Sequence, residues 1–147
     1  MISLSNFLLE RIDYHHVASE LVKHYGLKSR IKFVKSRLKG DYNVDKDIIN
    51  LRPKYKTIKD FLITVLHEID HALDAKRLGK KKYKQQYSLE GELAIQKGGD
   101  FHDDNYYEEK AKKWARANYK KWMKKIIDFL LFQDYLSKKF LKFREKD

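Results

Sequence analysis

The sequence predicts an α+β protein built around one core. Three observations lead there. Apolar residues recur at helical spacing near the start of the chain, two short strand-like stretches follow, and helical patterning then runs almost to the C-terminus. At 147 residues the chain has the size of one compact domain. Its 42% of hydrophobic residues suit a globular fold rather than a disordered one. One proline and six glycines leave no stretch that reads as a long linker. Residues 1–147 are therefore read as a single domain, with 118–147 as a C-terminal helical extension.

The first helix is expected from Ser5 to about Tyr25. Leu8, Leu9, Ile12, Val17, Leu21 and Val22 share a helical period, and Gly26 suits the stop. His15, His16 and His24 lie on it and read as surface or boundary residues. The period then changes. Arg30-Ile31-Lys32-Phe33-Val34 alternates polar and apolar side chains, as a strand does. Gly40-Asp41-Tyr42-Asn43 reads as turn chemistry, and Asp47 to Leu51 reads as a second strand stopped near Pro53. Two strands this close predict a small antiparallel sheet or meander.

Thr57 opens the next helix. Its hydroxyl can cap free backbone N–H groups, and Asp60 three residues later completes a pattern like a capping box. Phe61, Leu62, Val65, Leu66, Ile69 and Leu73 give this helix a broad apolar face, and Gly79 ends it. Lys80-Lys81-Lys82 reads as a basic connection. A short helix is expected from Tyr87 to about Lys97, broken by Gly98-Gly99-Asp100. From about Asn105 the pattern is helical to the end, with a break expected midway. Ile126 to Phe143 reads as a helix that covers the core.

Composition narrows the chemistry. The chain has no cysteine, which excludes a disulfide framework, a cysteine nucleophile and a cysteine-held metal. Any metal must be held by His, Asp or Glu. The first residues lack a basic stretch followed by an apolar core, and no apolar run is long enough to span a bilayer. A cytoplasmic, membrane-free protein is expected. The net charge of +12 favours polyanionic partners or acidic protein surfaces.

Residues 67–71 read His-Glu-Ile-Asp-His. On a helix, positions four apart share one face, so His67 and His71 can bind one zinc ion. Glu68 then lies beside the metal without ligating it, where it can act as general base. Two imidazoles are too few, because catalytic zinc takes three protein ligands and keeps one position open. The stretch from Asp100 to Glu109 offers candidates. Glu108 and Glu109 open the long helix, and adjacent helical residues face different ways, so one of them at most reaches the metal. Asp74 lies a turn beyond His71 and could orient an imidazole from behind.

These residues resemble a known group. Thr64-Val65-Leu66-His67-Glu68-Ile69-Asp70-His71-Ala72 is similar to the active-site helix of zincin metallopeptidases. Asn105-Tyr106-Tyr107-Glu108-Glu109-Lys110-Ala111, followed by Trp114-Ala115, resembles the glutamate helix of small gluzincins such as ImmA/IrrE-like peptidases. That resemblance spans roughly residues 30–117. It implies a zincin-like domain with Glu108 as third zinc ligand and Ala111 as a point of close helix approach. SprT-like proteases offer a second resemblance. There a later histidine completes the site, and His102 with Tyr106 matches their His-x-x-x-aromatic pattern, although Asp103 stands where a glycine is expected. With Glu108 as ligand, His102 or Tyr106 could stabilise the oxyanion of hydrolysis. Zincins also imply a strand beside the motif helix to which substrate adds, with residues 47–51 as the candidate.

The leading expectation is a zinc-dependent peptidase with one Zn2+ per chain and a protein or peptide substrate. A second is non-specific nucleic-acid contact through Lys76 to Lys84 and Lys110 to Lys125, with Trp114, Tyr119 and Trp122 more plausible as core residues than as a stacking platform. A third is a structural or assembly protein that binds zinc on a zincin fold without cleaving anything.

Overall fold

The computed structural model describes residues 9–145. The expected helix start at Ser5, its apolar Leu8 and the last two residues of the C-terminal extension lie outside that range. The described chain is α+β, with a three-stranded sheet among helices. Its elements are α1 (Tyr14–His24), β1 (Arg30–Phe33), β2 (Gly40–Asn43), β3 (Ile48–Leu51), α2 (Ile58–Leu78), α3 (Lys80–Gln96) and α4 (Tyr106–Glu145). None of these helices is long and apolar enough to cross a membrane.

The first helical region is interrupted, not continuous. Residues 9–11 are helical, but Asp13 adopts an extended conformation and its carboxylate accepts from His16 N at 3.0 Å, capping α1. The helix ends as expected at Gly26, whose φ of +72° suits glycine.

The sheet is mixed rather than antiparallel, with order β1-β3-β2. β1 pairs parallel with β3, and β2 pairs antiparallel with it. The segment read as a turn, residues 40–43, is the strand β2. Its extended form is set by pairing to β3 and by the approach of α2. A Cβ at Gly40 would stand 2.7 Å from Thr64 Cγ2 and 3.2 Å from Asn50 O, so only glycine lets the strand lie this close. The loop leading into β2 is strapped from below. The Arg52 guanidinium donates to the carbonyls of Ser36, Arg37 and Leu38, and Tyr55 Oη donates to Lys39 O at 2.6 Å. The β2–β3 turn rests on Asp47 at φ +52°, whose carboxylate accepts from Ser29 Oγ at 2.6 Å and Tyr42 Oη at 2.8 Å.

α2 is the centre of the protein. Thr57 Oγ1 accepts from Asp60 N at 3.0 Å to cap it, and Gly79 closes it. Phe61, Leu62, Val65, Leu66 and Ile69 are all wholly buried, held between the sheet, α1 and α4. Core burial of this kind contributes about 1.5–3 kcal/mol per large side chain before entropy is counted. α3 begins at Lys80, so the lysine run is helical and not a loop. Tyr83 and Tyr87 on successive turns turn its inner face toward α2 and α4. α4 then runs unbroken past residue 118, antiparallel to α2, with Ala111 and Ala115 wholly buried. The expected midway break is absent because Trp114, Tyr119, Trp122 and Met123 continue the packing stripe on its inner side.

Candidate metal centre

The second half of α2 presents His67 and His71 one turn apart on the face toward α4. The first turn of α4 presents Glu108 to them. His67 Nε2 lies 2.8 Å and His71 Nε2 3.0 Å from Glu108 Oε1, and the two Nε2 atoms are 3.2 Å apart. This is the group of potential metal ligands found among the described residues. Ligand atoms bound tetrahedrally at zinc–nitrogen and zinc–oxygen distances stand about 3.3 Å apart, so the three atoms fit one small cation. Hydrogen bonding alone accounts for them poorly. If both imidazoles donate to Glu108, two N–H groups face each other across the short N–N contact.

Several contacts set Glu108 in place. Asn105 is wholly buried and caps α4, its Oδ1 accepting from Tyr107 N at 2.9 Å while its Nδ2 donates to Tyr87 O at 3.0 Å. Tyr87 Oη donates to Glu108 Oε2 at 2.7 Å, while Oε1 faces both imidazoles and His71 Nε2 also stands 3.0 Å from Oε2. Two residues further along α4, Lys110 pairs with Asp70 at 2.7 Å and Asp74 at 2.9 Å, fixing α4 against α2. Burial would raise the Glu108 carboxyl pKa, but the hydrogen bonds from His67, His71 and Tyr87 outweigh it and hold it well below the usual range. Burial acts the other way on His71, and the adjoining Glu108 more than compensates, so its pKa is raised. Each partner thus favours the charged form of the other.

Glu68 is buried at the cleft floor and accepts no hydrogen bond from the described residues. Burial pushes its carboxyl up to about 8, the His71 charge opposing and the Glu108 and Asp41 charges adding to the rise. A carboxyl with a pKa near neutrality is poised to exchange protons at the pH of the cell.

The site opens into a cleft of about 730 Å³ between β2, α2, α3 and α4. Among the described residues β2 pairs on one side only, and its other edge runs along the cleft. The sequence candidate for that edge, residues 47–51, is instead the central strand, with both edges occupied.

His102 stands at the rim, 62% exposed, with Nε2 3.4 Å from Glu108 Oε1 and Nδ1 3.1 Å from Asp103. Its loop is seated by Phe101, whose ring occupies the space that a Cβ on Gly91 would need. Tyr106 is not brought to the site. It is 54% exposed and does not line the cleft, because it lies two residues from Glu108 on the opposite face of α4. Glu109 also faces solvent. Asp74 does not orient an imidazole. It accepts from Arg77 and pairs with Lys110, while His71 Nδ1 is buried without a partner. Tyr87, Asn105 and Lys110 were not among the sequence candidates as site residues. Asn105 carried a signal, a capping residue directly before a long helix, whereas Tyr87 carried none. The histidines of α1 lie elsewhere, His24 packing 4.6 Å from the Trp122 ring. Trp114 and Trp122 turn inward onto Tyr25, so neither serves as an exposed stacking platform.

Comparison of the chain with protein-family models, curated proteins and solved structures gives no match.

Proposed function

We propose that this chain is a zinc-dependent metallopeptidase of the zincin type, with His67, His71 and Glu108 holding one Zn2+ and Glu68 as the catalytic base. The observation that carries the reading is the convergence of two imidazole nitrogens and a carboxylate oxygen within 3.2 Å of one another, beside a free Glu68 in an open cleft. When bound, zinc would supply a Lewis acid that polarises a carbonyl and brings the pKa of water toward neutrality.

The residues of the chain account for the remaining work. Glu68 takes a proton from the attacking water and returns it to the leaving amine nitrogen. Tyr87 holds the Glu108 carboxylate through Oε2 in the orientation that faces the imidazoles. The free edge of β2 offers main-chain N–H and C=O groups to an extended substrate along Gly40–Asn43. His102 at the rim is the available donor for an oxyanion, in preference to Tyr106, and Glu108 is preferred to it as third ligand because Glu108 is buried between the two imidazoles.

The test is hydrolysis of a quenched-fluorescent peptide mixture by wild type and Glu68→Gln, each assayed for zinc. Wild type is expected to cleave, and Glu68→Gln to keep its zinc while losing about 10²–10⁴-fold in rate. Cleavage retained in the variant, or none by zinc-loaded wild type, would reject the proposal.

A further inference from the structure

We propose that the cleft selects acidic peptide segments, read by Lys112 and Arg116; this rests on the reading of the cleft as a peptide-binding site. Among the described residues four cations line it: Lys39, Lys84, Lys112 and Arg116. Two are already engaged. Lys39 pairs with Asp60 at 2.7 Å, and Lys84 with Asp45 at 2.9 Å. Lys112 and Arg116 are exposed and have no ion-pair partner among the described residues. Apart from Glu68 and Glu108 on the floor, the carboxylate lining the cleft is Asp41. The walls therefore present uncompensated positive charge to whatever enters.

The position of these two cations is what a specificity subsite needs. Glu108, Lys112 and Arg116 occupy successive turns of one face of α4. Each step along the helix advances about 6 Å, whereas an extended peptide advances about 3.3 Å per residue. Lys112 thus comes abreast of about the second residue from the scissile bond, and Arg116 of about the fourth. α4 runs opposite to α2: Lys110 meets Asp70 and Asp74, while Lys59 lies over the Tyr119 ring. The charged end of the cleft is therefore the end at Ile63 and Leu38, away from Tyr87 and His102. Both cations project over the same cleft as the free edge of β2. An extended chain paired to that edge would carry alternate side chains toward α4.

A carboxylate at either position gains an attractive contact, and a lysine or arginine there meets repulsion, so the preference is built from both sides. The surplus of +12 on the whole chain would further speed the encounter with acidic segments. Nucleic acid shares the charge but not the main-chain groups that pair with a strand edge. The tyrosines in the cleft are engaged rather than presented for stacking: Tyr42 donates to Asp47, and Tyr83 and Tyr87 are held against each other, Tyr107 and Glu108.

The test measures binding apart from turnover. Purified Glu68→Gln protein is titrated by fluorescence anisotropy with a dye-labelled peptide carrying Glu at positions flanking its centre, and with the same peptide carrying Gln. The Glu peptide is expected to bind about tenfold more tightly, two partly exposed ion pairs giving an effect of that order. Adding Lys112→Glu and Arg116→Glu should bring the ratio to one or invert it. Equal affinities before the charge reversal, or a ratio that survives it, would overturn the proposal. So would a single-stranded oligonucleotide that displaces the Glu peptide at lower concentration than unlabelled Glu peptide does, which would assign the cations to nucleic acid. Selective capture of the Glu peptide with no cleavage by wild type would uphold the acidic ligand and reject the peptidase. Cleavage by wild type with equal affinity for both peptides would do the reverse.

Discussion

At the scale of single residues, the site depends on a buried carboxylate kept in one orientation. Tyr87 does this from α3. Burial and the hydrogen bond to Glu108 raise the pKa of its hydroxyl, so it remains a donor. Tyr87→Phe keeps the ring and removes the donor. Zinc affinity is expected to fall about tenfold, read by competition with a chromophoric chelator. An unchanged affinity would mean that Glu108 needs no such support. Glu68 gives a prediction with a definite sign. Its folded pKa is raised by burial from 4.5 to about 8, so the folded metal-free protein holds a proton that the unfolded chain releases. Stability must then fall as pH rises from 4.5 to about 8, because over that range the unfolded state binds fewer protons. Glu68→Gln removes this penalty. With chelator present, the variant should exceed wild type by on the order of 2–4 kcal/mol at the top of that range and match it below the lower limit, as measured by urea denaturation. A difference independent of pH would contradict the burial argument.

At the scale of elements, the proposed metal centre lies at the junction of α2 and α4, and Lys110 sets that junction. Asp70 and Asp74 are both buried against it. Lys110→Met would leave buried Asp70 without a counter-charge and Asp74 with Arg77 alone. We expect a loss of about 3 kcal/mol in urea denaturation, with weaker zinc binding because the first turn of α4 is no longer pinned. Wild-type stability in this variant would show that the pair is dispensable. The elements differ in how far the sequence reveals them. α2 is legible from Thr57 to Gly79 because its cap, its apolar period and its stop are all local signals. β2 is not. Gly40, Asp41 and Asn43 are turn-forming residues, and they become a strand through pairing with β3 and the contact of Gly40 with Thr64, which no local window contains. The start of α3 is hidden by its lysines, although Tyr83 and Tyr87 at helical spacing mark its inner face.

At the scale of the whole molecule, the site joins residues that are far apart in sequence. His67 and His71 are legible as a pair because their spacing alone puts them on one face. Glu108 lies 37 residues beyond His71, and the sequence offers it only among several candidates. What selects it is the antiparallel packing of α4 on α2, which buries Glu108, exposes Glu109 and leaves His102 at the rim. The tertiary arrangement also turns Tyr106 to solvent and gives Asp74 to Lys110, which neither the His-x-x-x-aromatic pattern nor helical spacing reveals. The central claim is that this packing builds a metal centre. It is tested most directly by metal content, measured by mass spectrometry on wild type, Glu108→Ala and His102→Ala after zinc is supplied. One zinc per chain is expected in wild type and in His102→Ala, and none retained in Glu108→Ala. Wild type without bound metal, or zinc lost with His102 and kept without Glu108, would contradict it.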